Sequence, residues 1–157
     1  MKITLIAIGK TDDQYIIDGI EKYLKRLKHY IKFEIQIIPD IKNTKNLSAE
    51  EQKTKEAELF LKNINNNDDV IILDERGLQL SSTHFADLLN KKMIGSVQHL
   101  VFLIGGPYGF DDSIYKRANY KLSLSKMTFS HQMIRLFFVE QVYRAYTILK
   151  GEPYHHE

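Results

Sequence analysis

Four short apolar runs rich in β-branched residues recur along this chain with helical patterns between them: KITLIAI from Lys2, FEIQII from Phe33, VIIL from Val70 and LVFLI from Leu100. Runs of this length with so few polar positions suit strands covered on both faces, and that covering comes from helices that cross between parallel strands. Lys2 to Ile8, Phe33 to Ile38, Val70 to Leu73 and Leu100 to Ile104 are therefore predicted strands, and Tyr120 to Leu124 is a fifth. Thr11 to His29 places Ile16, Ile20, Tyr23, Leu24 and Leu27 on one helical face. Ser48 with Glu51 three residues on opens a helix to about Ile64. Asp74 to Leu80, which contains Gly77, reads as a turn, and Ser82 caps a helix to about Met93. Asp111 or Asp112 caps a short helix to Arg117, and the last helix runs from His131 to Leu149 before Gly151 and Pro153. The fold class is α/β, a mostly parallel sheet with helices on both faces, built as one domain over residues 1–157.

Composition removes several classes of chemistry. The chain has no cysteine, which excludes disulfides, thiolate metal sites and thiol nucleophiles. Hydrophobic residues make up 43% and charged residues 27%, ordinary for a globular protein. The opening MKITLIAIGK reads as a strand rather than a signal peptide, so a cytoplasmic location is the default. A net charge of +2 is compatible with a polyanionic partner without requiring one.

Candidate sites gather in the last third. Gly105-Gly106-Pro107-Tyr108-Gly109 follows a buried strand but has neither the Gly-Lys-Ser/Thr of a P-loop nor the position of a Rossmann fingerprint. Pro107 removes one backbone donor, which suits a rigid wall beside a flat ligand better than a phosphate nest. Taken alone, such a turn is ordinary punctuation. Ser123, Ser125, Lys126 and Thr128 alternate with Leu124 and Met127, a pattern that also describes the edge of a half-buried strand. Both segments follow strands of the C-terminal half, so their ends can face one crevice, where open α/β sheets bind ligands.

The final helix, HQMIRLFFVEQVYRAYTIL, is apolar over most of its circumference and suits a core or a subunit interface, the interface being the simpler answer for a chain this small. Glu140 and Arg144 are four residues apart and can pair, while a guanidinium among Tyr143, Tyr146 and Val142 calls for a polar or anionic partner. The tail Tyr154-His155-His156-Glu157 matches no zinc spacing and reads by itself as a solvated end. Lys22, Lys25, Arg26, Lys28 and Lys32 form a basic run that is either a solvated face or a surface for a phosphate backbone.

LSLSKMTFSHQMIRLFFVEQVYRAYTILKGEPYHHE, together with LIGGPYGF, LDERGLQLSS and the opening KITLIAIGK, closely resembles the RlmH family of 23S rRNA pseudouridine N3-methyltransferases, members of the SPOUT class. The resemblance spans the chain. It implies a C-terminal trefoil knot, an exception to unthreaded connections, and a homodimer that uses S-adenosylmethionine without metal or membrane. It also implies action on a large-subunit rRNA stem-loop within assembled ribosomes. The family's cofactor contacts fall on Leu73, Gly105 and the LSKMTF segment, that is Leu124, Ser125, Lys126, Met127, Thr128 and Phe129. Relatives commonly carry Pro where this chain has Ser130, a good helix cap.

That resemblance makes demands on the remaining residues. The imide nitrogen of pseudouridine must lose a proton before it attacks a sulfonium methyl, so a base and a cation belong near it. Arg144 is the expected cation, His155 a candidate base or base-positioning group, and Tyr154 the residue that packs on the nucleotide. The residues leave open which group takes the proton, with His131 as a second choice. A non-catalytic nucleotide- or RNA-binding assembly factor on the same fold is the alternative reading, and cofactor binding separates the two.

Overall fold

A computed structural model describes residues 1–156. Its strands are β1 (Lys2–Ile8), β2 (Lys32–Ile38), β3 (Asp69–Gln79), β4 (His99–Ile104) and β5 (Tyr120–Ser123). They form one sheet in the order β2-β1-β4-β3-β5, with every neighbouring pair parallel. The helices are α1 (Gln14–Leu27), α2 (Ala49–Lys62), α3 (Ser82–Ile94), α4 (Asp112–Arg117) and α5 (Met133–Leu149).

The two-residue period of the strands divides the core. Ile3, Leu5, Ile71, Leu100 and Phe102 face a layer made by α1, α3 and α5. Ile6, Ile8, Val70, Ile72, Val101 and Leu103 face α2 and α4. Helices thus cover both faces, which is why these strands read as nearly unbroken apolar runs. At the opposite end of the sheet from the strand C-termini, His99 bridges Asp68 (2.9 Å) and the buried Thr4 (2.8 Å), so a Thr-His-Asp chain serves to satisfy polar groups in the core.

Helix α1 is shorter than expected, Gln14–Leu27 instead of Thr11 to His29, and three other boundaries differ for identifiable reasons. Residues 74–79 are the continuation of β3, not a turn: Leu73 and Leu78 both align with Leu122 of β5, and the residues between them form an irregularity in the ladder. Gly77 explains it. A Cβ there would lie 2.6 Å from the Leu122 backbone, so glycine permits close approach of two strands instead of reversing the chain. The cap of α3 is Ser81 rather than Ser82, its hydroxyl accepting from His84 N. Regular α5 begins at Met133, because Ser130 Oγ accepts from Met133 N (3.0 Å) and residues 131–132 form the turn between. Ser130 thus holds the turn that leads into the helix, while the N-cap position itself is Gln132, whose side chain makes no capping bond.

Helix α5 is packed in its own subunit more fully than its apolar circumference required. Phe138, Val139, Val142 and Ala145 are fully buried, and the Phe138 ring lies 4.6 Å from that of Phe102 between centroids. Phe137 is the member of the apolar set left open, at 40% exposure, edge-on to Phe129.

Candidate active site

A cleft of about 680 Å³ opens at the carboxyl ends of β3, β4 and β5. The chain leaves β3 towards α3 in one helical layer and β4 towards α4 in the other, the divergence at which α/β sheets open a crevice. Leu73, Gly105, Leu124, Ser125, Met127, Thr128 and Phe129 line it. Lys126 is on the same loop but exposed and outside the lining.

Each wall has a local cause. At Gly105 a Cβ would already lie 3.3 Å from the Gly109 backbone, and at Gly106 it would meet the Glu56 carboxylate at 2.4 Å. The turn is thereby compressed against α2 and offers backbone instead of side chains to the cleft. Gly109 closes it with φ +80°, a conformation that favours glycine. Glu56 is 4% exposed, and its Oε1 has no hydrogen-bond partner among the described residues. Burial, with a smaller contribution from Asp40, pushes its carboxyl up to about 7.

The opposite wall, residues 124–132, is wired to itself and pegged at its far end. Ser123 Oγ donates to the Ser125 carbonyl, and Ser125 Oγ accepts from Met127 N, both at 2.9 Å. Gln132 then reaches across to β1, donating to the Lys10 carbonyl (2.9 Å) and accepting from Asp12 N (3.0 Å). Arg135, 1% exposed, donates to the carbonyls of Gly9 (2.7 Å) and Ile8 (2.8 Å). This segment crosses over the sheet from the β5 edge to the end of β1 and is fastened there.

The cleft also holds side chains that the sequence reading passed over. Asp74 accepts from the Tyr115 hydroxyl, and Arg76 Nη2 donates to that same oxygen (2.7 Å). Burial is the main cause that holds the Tyr115 hydroxyl above its ordinary value, followed by the bond to Asp74. Lys53 of α2 lies on the rim. The only signal for the first two was their place in LDERG directly after a buried strand.

Arg144, Tyr154 and His155 are brought together, but elsewhere. Arg144 is paired with Glu140 (2.6 Å), lies 4.7 Å from the Tyr154 ring centroid, and meets His155 Nδ1 at 3.2 Å. Because a guanidinium only donates, Nδ1 is the acceptor in that contact. The Glu140 hydrogen bond raises the Arg144 pKa further, so the cation is fixed. Tyr154 donates to Glu140 (3.0 Å), contacts the Tyr23 hydroxyl (3.3 Å) and stacks edge-on with Tyr143. Burial and these two bonds hold its hydroxyl protonated. Tyr154 and His155 thus pack as a cluster on α1 and α5 and are not a frayed end, His156 is exposed, and Glu157 lies outside the described residues. None of the three residues lines the cleft, which touches α5 only near its beginning, at Ile134, with His131 of the preceding turn beside it. From Ile134 to Arg144 the helix advances roughly 15 Å at 1.5 Å per residue.

Parallel strands, a cleft walled by glycines and a crossing loop, and a packed C-terminal helix describe a class with known relatives. The family described as "Predicted SPOUT methyltransferase" matches residues 1–155, and this chain belongs to it. It is a methyltransferase fold and a methyltransferase family. Among its relatives, proteins named "Ribosomal RNA large subunit methyltransferase H" are 58% identical in Christiangramia forsetii, over 99% of both chains, and 59% identical in Flavobacterium johnsoniae, over 100% of both. The Parabacteroides distasonis protein of that name is 58% identical over 100% of both chains. A tRNA (m1G37) methyltransferase from Aquifex aeolicus shares the fold at a TM-score of 0.59 and 16% identity, covering all of this chain and 76% of its own.

Proposed function

We propose that this protein transfers a methyl group from S-adenosylmethionine to N3 of a pseudouridine in a stem-loop of 23S rRNA in the assembled ribosome, acting in the cytoplasm as a homodimer. The observation that carries the reading is identity of 58–59% over essentially full length with proteins named for methylation of large-subunit rRNA. The crossing of residues 124–132 over the strand ends supports a trefoil knot, and the cleft beneath it is suited to the cofactor.

The residues fit such a ligand. Leu73, the Gly105 turn and the loop from Leu124 to Phe129 present backbone donors and acceptors at three sides of a cleft large enough for a nucleoside. When bound, S-adenosylmethionine supplies an electrophilic sulfonium methyl. The chain must then hold the substrate's deprotonated imide in line with it, which requires exclusion of water, a group to take the N3 proton and a fixed cation. Arg144, held by Glu140, is that cation, and Tyr154 covers the base. His155 takes or relays the N3 proton once the Arg144 contact to Nδ1 yields.

A separation of roughly 15 Å along one helix keeps the tail cluster from serving the cleft of its own chain. The dimer supplies the missing arrangement, the tail cluster of one subunit facing the cleft of its partner. Methylation of ribosomes isolated from cells lacking this protein, followed by mass mapping of the rRNA, is the test. Transfer to N3 of a single pseudouridine is expected, and absence of any transfer with cofactor bound would refute the reading.

A further inference from the structure

The basic run of α1 has no part in the chemistry above, yet it borders the tail cluster. Tyr23 of α1 touches Tyr154 through its hydroxyl and Tyr143 through its ring, at 5.7 Å between centroids. The Arg26 guanidinium lies over both rings, 5.7 Å from the Tyr23 centroid and 5.4 Å from that of Tyr143, and Lys22 Nζ is 5.8 Å from Tyr23. Helical spacing places Lys22, Lys25 and Arg26 side by side, with His29 one turn further. Lys22, Lys25 and Lys28 are exposed. None of these four cations has a carboxylate within 4 Å among the described residues. The nearby acids are already engaged or exposed: Asp18 accepts from Gln14 (2.7 Å), Glu140 pairs with Arg144, Glu152 accepts from the Tyr30 hydroxyl (2.5 Å), and Glu21 is exposed.

We propose that this face of α1 is a docking surface for the sugar-phosphate backbone of folded RNA, continuous with the Tyr154-His155 cluster. Building on the proposed rRNA substrate, it would hold the strand that flanks the target nucleotide while the tail cluster covers the base. Cations left without carboxylates, and an arginine kept in place by aromatic faces instead of an ion pair, present charge to a polyanion without first breaking internal pairs. Stabilisation of the helix C-terminus accounts for Lys25 and Arg26 in the last turn but explains neither Lys22 nor the aromatic seat. A lipid surface is disfavoured because the apolar face of α1, with Ile16, Ile20 and Leu27, is already buried in the core. Phosphate contacts position a substrate without reading its sequence, which leaves selection of the base to the tail cluster.

The test compares full-length wild type with Lys22→Gln/Lys25→Gln and with Lys22→Glu/Lys25→Glu. A control, Lys55→Glu/Lys62→Glu, alters exposed lysines of α2 on the other side of the sheet. Ribosome binding is read by pelleting across a salt series, methyl transfer by KM and kcat for ribosomes, and cofactor affinity by calorimetry. The α1 variants are expected to raise the ribosome KM at least tenfold and to flatten the salt dependence of binding by about two phosphate contacts. Cofactor affinity and saturated kcat should stay at wild-type values. A ribosome KM within twofold of wild type, or an equal loss in the α2 control, would overturn the proposal. Wild type that binds ribosomes through this face but transfers no methyl would refute the enzymatic reading while sustaining the docking surface.

Discussion

Arg135 donates a 2.7 Å hydrogen bond to the carbonyl of Gly9, joining the start of the last helix to the end of the first strand across almost the whole chain. Gly9 has φ +80°, and a Cβ there would lie 2.7 Å from an Asp40 carboxylate oxygen, so the carbonyl is presented by a residue that must be glycine. The guanidinium also reaches Ile8 O, Thr11 Oγ1 and His131 O. Arg135→Met leaves these acceptors unpaired in a buried place and is expected to destabilise by about 3 kcal/mol, measured by urea unfolding. Arg135→Lys cannot reproduce the fork and should recover only part of that loss.

Gly105→Val is expected to weaken S-adenosylmethionine binding at least about a hundredfold, or about 2.7 kcal/mol. Even a single carbon at this position would be in tight contact with the Gly109 backbone, and two more must enter the cleft or displace the turn. Titration calorimetry on metal-free protein gives the answer, and wild-type affinity would remove Gly105 from the cofactor wall.

Glu56 gives the fold a pH dependence of definite sign. Its carboxyl is raised from an ordinary value near 4.5 to about 7, so its contribution to stability is fully present below about 4.5 and is lost as pH rises through about 7. Glu56→Gln cannot ionise. The stability of this variant relative to wild type should therefore increase between pH 5 and pH 8, by up to about 2 to 3 kcal/mol, and then level off. Thermal melts across that range check it, and a pH-independent difference would show that Glu56 is ionised with little penalty.

Arg144→Ala and deletion of residues 154–157 should both leave cofactor affinity near wild type, because the cluster lies outside the cleft. Methyl transfer to ribosomes is expected to fall by 10² or more, about 3 kcal/mol of transition-state stabilisation, when the cation is removed. Single-turnover assays on ribosomes distinguish this from a binding defect. Transfer at the wild-type rate by the truncated protein would move the search for the base to His131, on the cleft wall.

Phe137→Glu is expected to weaken the proposed dimer at micromolar concentration without unfolding the subunit, since the ring is 40% exposed. Phe138→Glu would instead bury a charge among Phe85 and Phe102 and unfold the chain. Light scattering together with thermal melts separates the two outcomes.

The alternation of apolar runs with helical faces was enough to define a parallel sheet covered on both sides, because a strand buried on both faces leaves no choice but a continuous apolar pattern. Local chemistry also marked the Ser48 cap and narrowed the α4 cap to Asp111 or Asp112, of which Asp111 accepts from Ser113 N, as Ser48 does from Glu51 N. Seven of the eight expected cofactor residues line one cleft, since loops that follow strands of a parallel sheet all emerge at the same end. Other features depended on partners distant in sequence. Gly77 looks like a turn until Leu122 lies against it, and nothing in the local sequence names the carbonyls of Ile8 and Gly9 as the partners of Arg135. Apolar periodicity could not divide α5 between core and open surface, because that division is set by where α1 and α3 pack. Nor could spacing reveal that Arg144 and the tail gather far from the cleft: a rigid helix carries them away from it at 1.5 Å per residue, and only the folded chain shows against what they come to rest.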